Sequence, residues 1–209
     1  MKHICYISLA VLLLLIVSAC EKGASFEVIN QCSYPAWVSV DGDSLITLAA
    51  GETRSFKIAT GTESILSGSV YESFKVIAFG ETFSLEREVD GHLIPTDSTT
   101  VKIRAGETRR APLIPNRASL KVTNNSSNPI EKAEIWKHTA LTHTRVGTIY
   151  DIEPGTNKFY RGEYAVANNM FYYTVLLYFP GMDEPLGFGG ENTILGKDEQ
   201  FNVIYADPE

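Results

Sequence analysis

Apolar and polar positions alternate with a period of two along most of this chain, in short runs broken by turn residues. In residues 24 to 36, ASFEVINQCSYPA, Phe26 and Val28 share one face while Ser25, Glu27 and Ile29 share the other, the mark of a half-buried strand. Asn30, Ser33 and Pro35 then turn the chain, because Asn and Ser side chains satisfy turn backbone and Pro withholds a ladder donor. A further strand follows over residues 36–40. The phrase returns as ASLKVTNNSSNPI, residues 118 to 130, with Ala118, Ser119, Val122, Asn124, Ser127 and Pro129 matching their counterparts. Cys32 becomes Ser126, and a strand again follows, over residues 133–136.

The remaining runs predict strands near residues 44–48, 54–59, 72–79, 82–88, 99–104 and 109–114 in the first half. In the second half they fall near 145–152, 158–161, 171–179, 192–195 and 200–205. Asp41-Gly42 and Asp90-Gly91 are hairpin-type dipeptides, since glycine accepts positive φ. AGETR occurs twice between strand-like runs, at residues 50–54 and 105–109, and Glu153-Pro154-Gly155-Thr156 is a comparable turn. No stretch sustains a capped 3.6-residue period. The expected architecture is all-β: two tandem small antiparallel β-sandwich domains, immunoglobulin-like in general kind. The expected domains span 24–112 and 118–209, joined by a proline-stiffened linker, 113–117.

The N-terminus breaks this pattern. A run from Ile4 to Val17, apolar except for Ser8, follows Lys2 and leads through small residues into a cysteine, which reads as a secretory signal. At about fourteen residues it falls short of the roughly twenty a spanning helix needs. Val17-Ser18-Ala19-Cys20 resembles the lipobox of bacterial lipoproteins. The resemblance implies that residues 1–19 are a signal peptide and that Cys20 becomes the acylated N-terminus, with 20–23 a lipid-anchored linker. Two or more acyl chains suffice for stable anchoring, each buried methylene contributing about 0.8 kcal/mol. The implied location is the cell envelope, on the outer membrane, at its periplasmic face or the cell surface.

Composition narrows the function. Of 209 residues, 44% are hydrophobic and 11% aromatic, which argues against disorder. A net charge of −7 disfavours nucleic-acid binding, which draws on basic patches that release counterions. With Cys5 lost in the signal and Cys20 acylated, Cys32 stands alone. It is either a small packed hydrophobe or a free thiol.

Candidate chemistry is sparse. His138 and His143 flank a polar loop without an evident third metal ligand, and His92 stands apart. Asp41 and Asp43 lack the other ligands of a calcium loop. Asp183-Glu184 and Asp198-Glu199 sit in turn-like segments, and GFGG at residues 187–190 reads as a loop or strand bulge. No nucleophile elbow, phosphate loop or zinc-protease motif occurs, so no catalytic residue, metal or cofactor is expected. Lys102, Arg104, Arg109 and Arg110 cluster around the second AGETR, where they either guard an edge strand against aggregation or meet a polyanion.

The least ordinary feature is FYYTVLLYF, residues 171–179. Alternation puts Phe171, Tyr173, Val175, Leu177 and Phe179 on one face and Tyr172, Thr174, Leu176 and Tyr178 on the other. Either the strand is covered on both sides, or the Tyr172 and Tyr178 face is partly exposed and offers a stacking surface to a protein or glycan. The expected function is a membrane-anchored, non-catalytic binding or adhesion module, with Tyr172 and Tyr178 as partner-binding residues. A structural part of a surface appendage or envelope complex is the first rival, and a lipid-anchored hydrolase the weaker one. Replacing Cys20 by serine is expected to release the protein from the membrane fraction; unchanged retention on fractionation would refute acylation there.

Overall fold

The computed structural model describes residues 23–61 and 70–207; the signal segment and Cys20 lie outside the described residues. These residues are all-β, with no helix. In the first half, β1 (Ala24–Asn30) lies between β4 (Thr53–Ile58), antiparallel to it, and β9 (Thr108–Leu113), parallel to it. The facing sheet runs in the order β3 (Ile46–Leu48), β2 (Ala36–Val40), β5 (Tyr71–Gly80), β8 (Ser98–Arg104).

The second half repeats this plan strand for strand. β10 (Ala118–Asn124) lies between antiparallel β13 (Asn157–Gly162) and parallel β16 (Gln200–Tyr205). Facing it is the sheet β12 (His143–Ile152), β11 (Ile130–His138), β14 (Tyr172–Tyr178), β15 (Leu186–Gly189). The halves differ by one inserted hairpin, β6 (Leu85–Val89) and β7 (His92–Thr96), whose turn is Asp90-Gly91 at φ 51° and 79°. The chain is therefore two tandem immunoglobulin-like β-sandwiches. Their pairing is antiparallel apart from the parallel pairing of first and last strand in each.

Each sandwich has its own apolar core. Phe26, Val28, Val38, Leu48, Phe74 and Ile103 fill the first, and Leu120, Val122, Ile135, Tyr173, Val175 and Leu177 the second. Burial of this kind, at about 25 cal/mol per Å² of apolar surface, drives the two sheets together. Gly147 faces inward where a Cβ would lie 2.3 Å from the Tyr160 ring, so only glycine lets that ring close the seam between β12 and β13.

The matched asparagines explain why the opening phrase is used twice. Asn30 is fully buried, and its amide donates to the carbonyls of Tyr34, Leu48 and Ala49 at 2.9 to 3.1 Å. Its Oδ1 accepts from the Cys32 N–H at 3.0 Å. Asn124, equally buried, donates to the carbonyls of Asn128 and Ile152 at 2.8 Å and accepts from the Ser126 N–H at 3.0 Å. Both tie the end of a first strand to the turn after it and to the far edge of the facing sheet.

The position after the hub tolerates either polarity. Cys32 is 3% exposed and its Sγ approaches the Leu113 carbonyl at 3.5 Å. Burial pushes its thiol up to about 11, so the structure supports the packed hydrophobe over the reactive thiol. Ser126, 4% exposed, instead bonds Asn124 Oδ1 at 2.6 Å and the Asn128 carbonyl at 3.0 Å.

The AGETR segments are turns of one design. Gly51 and Gly106 take φ 75°, and the glutamate that follows each returns its carboxylate to the backbone N–H at the start of the turn, Ala49 and Arg104 respectively, at 2.9 Å. Gly155 fills the same place, φ 71°, in the second half. The fourth such turn, residues 196–199, also has the carboxylate-to-backbone bond, from Gly196 N to Glu199 at 2.7 Å, but puts Asp198 where the others have glycine, at φ 64°.

That aspartate crosses between the sandwiches. Its Oδ2 accepts from the Ser33 N–H at 2.9 Å and the Ser33 hydroxyl at 2.7 Å, and its Oδ1 accepts from the Thr82 hydroxyl. Around it, Lys121 pairs with buried Glu81 at 2.9 Å, Arg161 with Asp97 at 2.6 Å and Arg117 with Glu86 at 2.9 Å. Gln200 also donates to Glu81. Phe159 on β13 stacks on Trp37 of β2, centroids 5.6 Å apart and planes 8° from parallel. The small sheet of the second sandwich thus leans on the first.

Two expectations need correction. Residues 192–195 form no strand: Thr193 and Leu195 are buried, bonding singly to Tyr173 and Ala165 as they plug the edge of the sandwich. The strand lies earlier, at β15, overlapping residues 187–189 of the run read as a loop or bulge. The strand expected over 82–88 begins only at Leu85, because Thr82 and Ser84 are committed to bonds with Asn116, Arg117 and Asp198.

Replacing Asn30 or Asn124 by alanine strands buried carbonyls, each worth about 1 kcal/mol or more. We expect either change to cost its sandwich roughly 2–4 kcal/mol in denaturant unfolding.

Candidate binding face

The four-stranded sheet of the second sandwich has its inner face in the core and, among the described residues, its outer face uncovered. Because the opposite, three-stranded sheet leans on the first sandwich through Phe159, Lys121 and Gln200, this outer face is turned away from the junction. Strand alternation decides what it carries. From β14 come Tyr172, Thr174, Leu176 and Tyr178, all half-buried, while Tyr173, Val175 and Leu177 are buried. Tyr173 donates its hydroxyl to the Glu163 carbonyl at 2.9 Å, and burial pushes its phenol up. Of the two readings of this strand, the structure supports one buried face and one partly exposed face.

From β11 come Lys132, Glu134, Trp136 and His138, which register opposite Tyr178, Leu176, Thr174 and Tyr172. On the other side β12 supplies Tyr150, Thr148, Arg145 and His143. A register shift between Ile135 and Trp136 keeps Arg145 and His143 on the outer side despite the inward Gly147.

At the centre sits Glu134, 4% exposed on a face otherwise half open. Lys132, Arg145, Trp136 and Tyr178 all donate to its carboxylate, at 3.0, 2.9, 3.3 and 3.1 Å. Burial alone would raise its pKa, but these donors outweigh it and hold the carboxyl down at about 2. Lys132 also lies over the Tyr178 ring, 4.1 Å from its centroid. Burial and the Glu134 charge push the Tyr178 phenol up. Tyr178 is therefore both a surface aromatic and part of the framework that positions the others.

At the other end, His138 stacks on Tyr172 with centroids 4.7 Å apart and planes 3° from parallel. Its Nε2 meets the Thr174 hydroxyl at 2.7 Å and its Nδ1 meets His143 Nδ1 at 2.6 Å. Burial first, then the charge of His143, lowers the His138 pKa. No group of three or more His, Cys, Asp or Glu side chains with the geometry to hold a metal occurs among the described residues.

The other candidates fall elsewhere. Asp41 and Asp43 belong to the turn after β2, with Asp41 at φ 53° and the Asp43 carbonyl accepting from Ser39 at 2.6 Å. His92 starts β7, exposed. A concavity of about 560 Å³ opens at the junction, but its walls include Arg161 and Asp97, already paired with each other. The alternation that exposed Tyr172 and Tyr178 missed Glu134. Its only local sign is the spacing Lys132, Glu134, Trp136, His138 along one strand.

No protein-family model and no curated protein matches this chain. Among solved structures, a fimbrial assembly protein from Parabacteroides distasonis ATCC 8503 is similar at 9% identity and TM-score 0.30, over 88% of this chain and 91% of that one. A protein of Bacteroides ovatus ATCC 8483 provisionally assigned to cell adhesion is similar at 10% identity and TM-score 0.35, over 90% and 94%. The Bacillus anthracis TIE protein is similar at 11% identity and TM-score 0.30 over 89% of this chain, which spans only 34% of that protein. At such values these likenesses carry no argument about this chain, whose fold rests on its own strand order.

The Glu134 carboxyl titrates below its unfolded value, so its stabilisation is complete above the ordinary carboxylate range and fades as pH falls from about 4.5 towards 2. Glu134→Gln is expected to remove on the order of 2 kcal/mol from the second sandwich at neutral pH. Denaturation at a series of pH values should show the gap to the unmodified protein closing across that interval.

Proposed function

We propose that the protein is a lipid-anchored, non-catalytic binding or adhesion module of the bacterial cell envelope, held on the outer membrane by acylated Cys20. The outer face of the β12-β11-β14-β15 sheet meets its partner, a protein or glycan. The observation that carries this reading is the uncovered face itself: Trp136 and Tyr178 bond a fixed carboxylate on rigid strands, with Tyr150 and Tyr172 farther along the same face, on the side away from the junction. Aromatic rings with polar tips supply contact area at low entropic cost. The bonds that hold Glu134, Lys132 and Arg145 fix the polar groups between them before any partner arrives, which lowers the cost of binding.

The lipobox-like sequence ahead of the first sandwich supports the anchoring reading. Contact with the first sandwich through the three-stranded sheet of the second, which leaves its four-stranded sheet on the far side, supports presentation by the second.

Tyr150 is 59% exposed and Tyr172 contacts His138 only through its ring face, so both can be removed without opening the core. Tyr150→Ser with Tyr172→Ser is expected to weaken capture of the native envelope partner by about tenfold or more while leaving the unfolding midpoint in place. Tyr178→Ser should lower stability as well, through Glu134. Equal capture by the unmodified protein and a folded double variant would overturn the assignment of this face.

A further inference from the structure

The end of the first sandwich remote from the junction is cationic in an acidic protein. β1 begins there at Ala24, which pairs with Ile58, and Ser25 pairs with Lys57 on one side and Thr108 on the other. The second AGETR turn closes the same end, bringing Arg104 at the close of β8 and Arg109 at the start of β9 beside it. Tyr71 opens β5 opposite Arg104, is 52% exposed, and has the Lys102 ammonium over its ring at 4.8 Å. Lys57, Lys102, Arg104 and Arg109 are all exposed. Among the described residues, the acids at this end are Glu72 and Glu107. Glu107 is occupied by the turn, accepting from the Arg104 N–H at 2.9 Å and lying 3.9 Å from Arg109.

We propose that this end of the first sandwich rests on anionic lipid headgroups. The proposal rests on the anchoring reading for Cys20, which stands only three residues before Gly23, the first described residue. A chain tethered there must bring the start of β1 to the bilayer surface, and the groups that arrive with it are ammonium and guanidinium heads and one amphipathic ring. Phosphate headgroups are the matching chemistry, and tyrosine sits readily at a membrane interface.

The net charge of −7 does not cancel this attraction. A seven-residue strand such as β1 is about 23 Å long, more than two Debye lengths at physiological salt. Charges on the junction and the second sandwich are screened from the surface that the basal cations touch. Contact through this end also directs the second sandwich, and its uncovered sheet, away from the bilayer. The cluster thereby acquires a role beyond guarding the edges of β8 and β9.

The test uses residues 21–209, which contain every described residue but not Cys20. Sedimentation with vesicles of equal parts phosphatidylglycerol and phosphatidylcholine, against phosphatidylcholine alone, is expected to show salt-sensitive binding to the anionic vesicles only. Lys57→Ala, Lys102→Ala and Arg109→Ala together should weaken that binding by about fivefold per cation, about a hundredfold in all, with no change in unfolding midpoint. Equal binding to both vesicle types, binding to neither, or binding unaltered by the triple change would overturn the proposal. Retention of the full-length protein and of its Cys20→Ser variant in native membranes, measured alongside, reads the anchor separately. Release of the serine variant together with no vesicle preference rejects the cationic end and keeps the anchor; the converse pair of results rejects the anchor and keeps the cationic end.

Discussion

A primary amide with no exposed surface must find partners for its whole hydrogen-bonding capacity inside the protein, and that requirement organises both sandwiches. Asn30 and Asn124 meet it by gathering carbonyls from the turn after the first strand and from the strand at the far edge of the facing sheet. Each side chain therefore joins the two sheets of a sandwich by directional bonds, where apolar packing alone would fix only their spacing. Apolar cores tolerate exchange of one hydrophobe for another; a buried amide with three or four partners does not. It is natural that the phrase containing it is what survives in two copies, while Cys32 and Ser126 beside it differ freely.

The same turn design used four times also shows how a repeat becomes asymmetric. Glycine accepts the left-handed backbone without strain at residues 51, 106 and 155, whereas Asp198 adopts it with a side chain, a conformation that aspartate tolerates better than most residues. The exchange turns a local turn into a bridge, since the carboxylate reaches Ser33 and Thr82 of the other sandwich. With the Trp37 and Phe159 stack and the surrounding ion pairs, it makes the junction directional and polar. Interfaces of that composition resemble those between separate proteins more than they resemble a core.

Much of the fold was legible because a half-buried strand writes its burial into every second residue: β1, β5, β10, β14 and β16 follow alternation read directly from the chain. Where burial did not alternate, the pattern misled. β7 is almost wholly exposed and carries Pro95, and β15 has two glycines in four residues, so neither has a face to announce. Thr193 and Leu195 are buried as a plug and not as a ladder. On the candidate face, Tyr172 and Tyr178 were legible from alternation within one strand. Glu134 was not, because its partners Arg145 and Tyr178 arrive from the two neighbouring strands through a register that no local spacing records. Asp198 likewise reads as a turn residue, and its partner Ser33 lies 165 positions away.

The parallel pairing of first and last strands has a mechanical consequence. In the first sandwich, a chain held at its N-terminal side and loaded through the second sandwich is pulled at the start of β1 and at the end of β9. These are neighbouring strands tugged from opposite ends. The rungs from Ser25 with Thr108 to Asn30 with Leu113 then share the load in shear instead of opening one after another. Resistance to pulling is set by the rate at which such a ladder gives way, not by equilibrium stability. The topology thus suits a domain under tension, in which the strand that opens the sandwich and the strand that leaves for the second sandwich grip each other from Ser25 with Thr108 to Asn30 with Leu113.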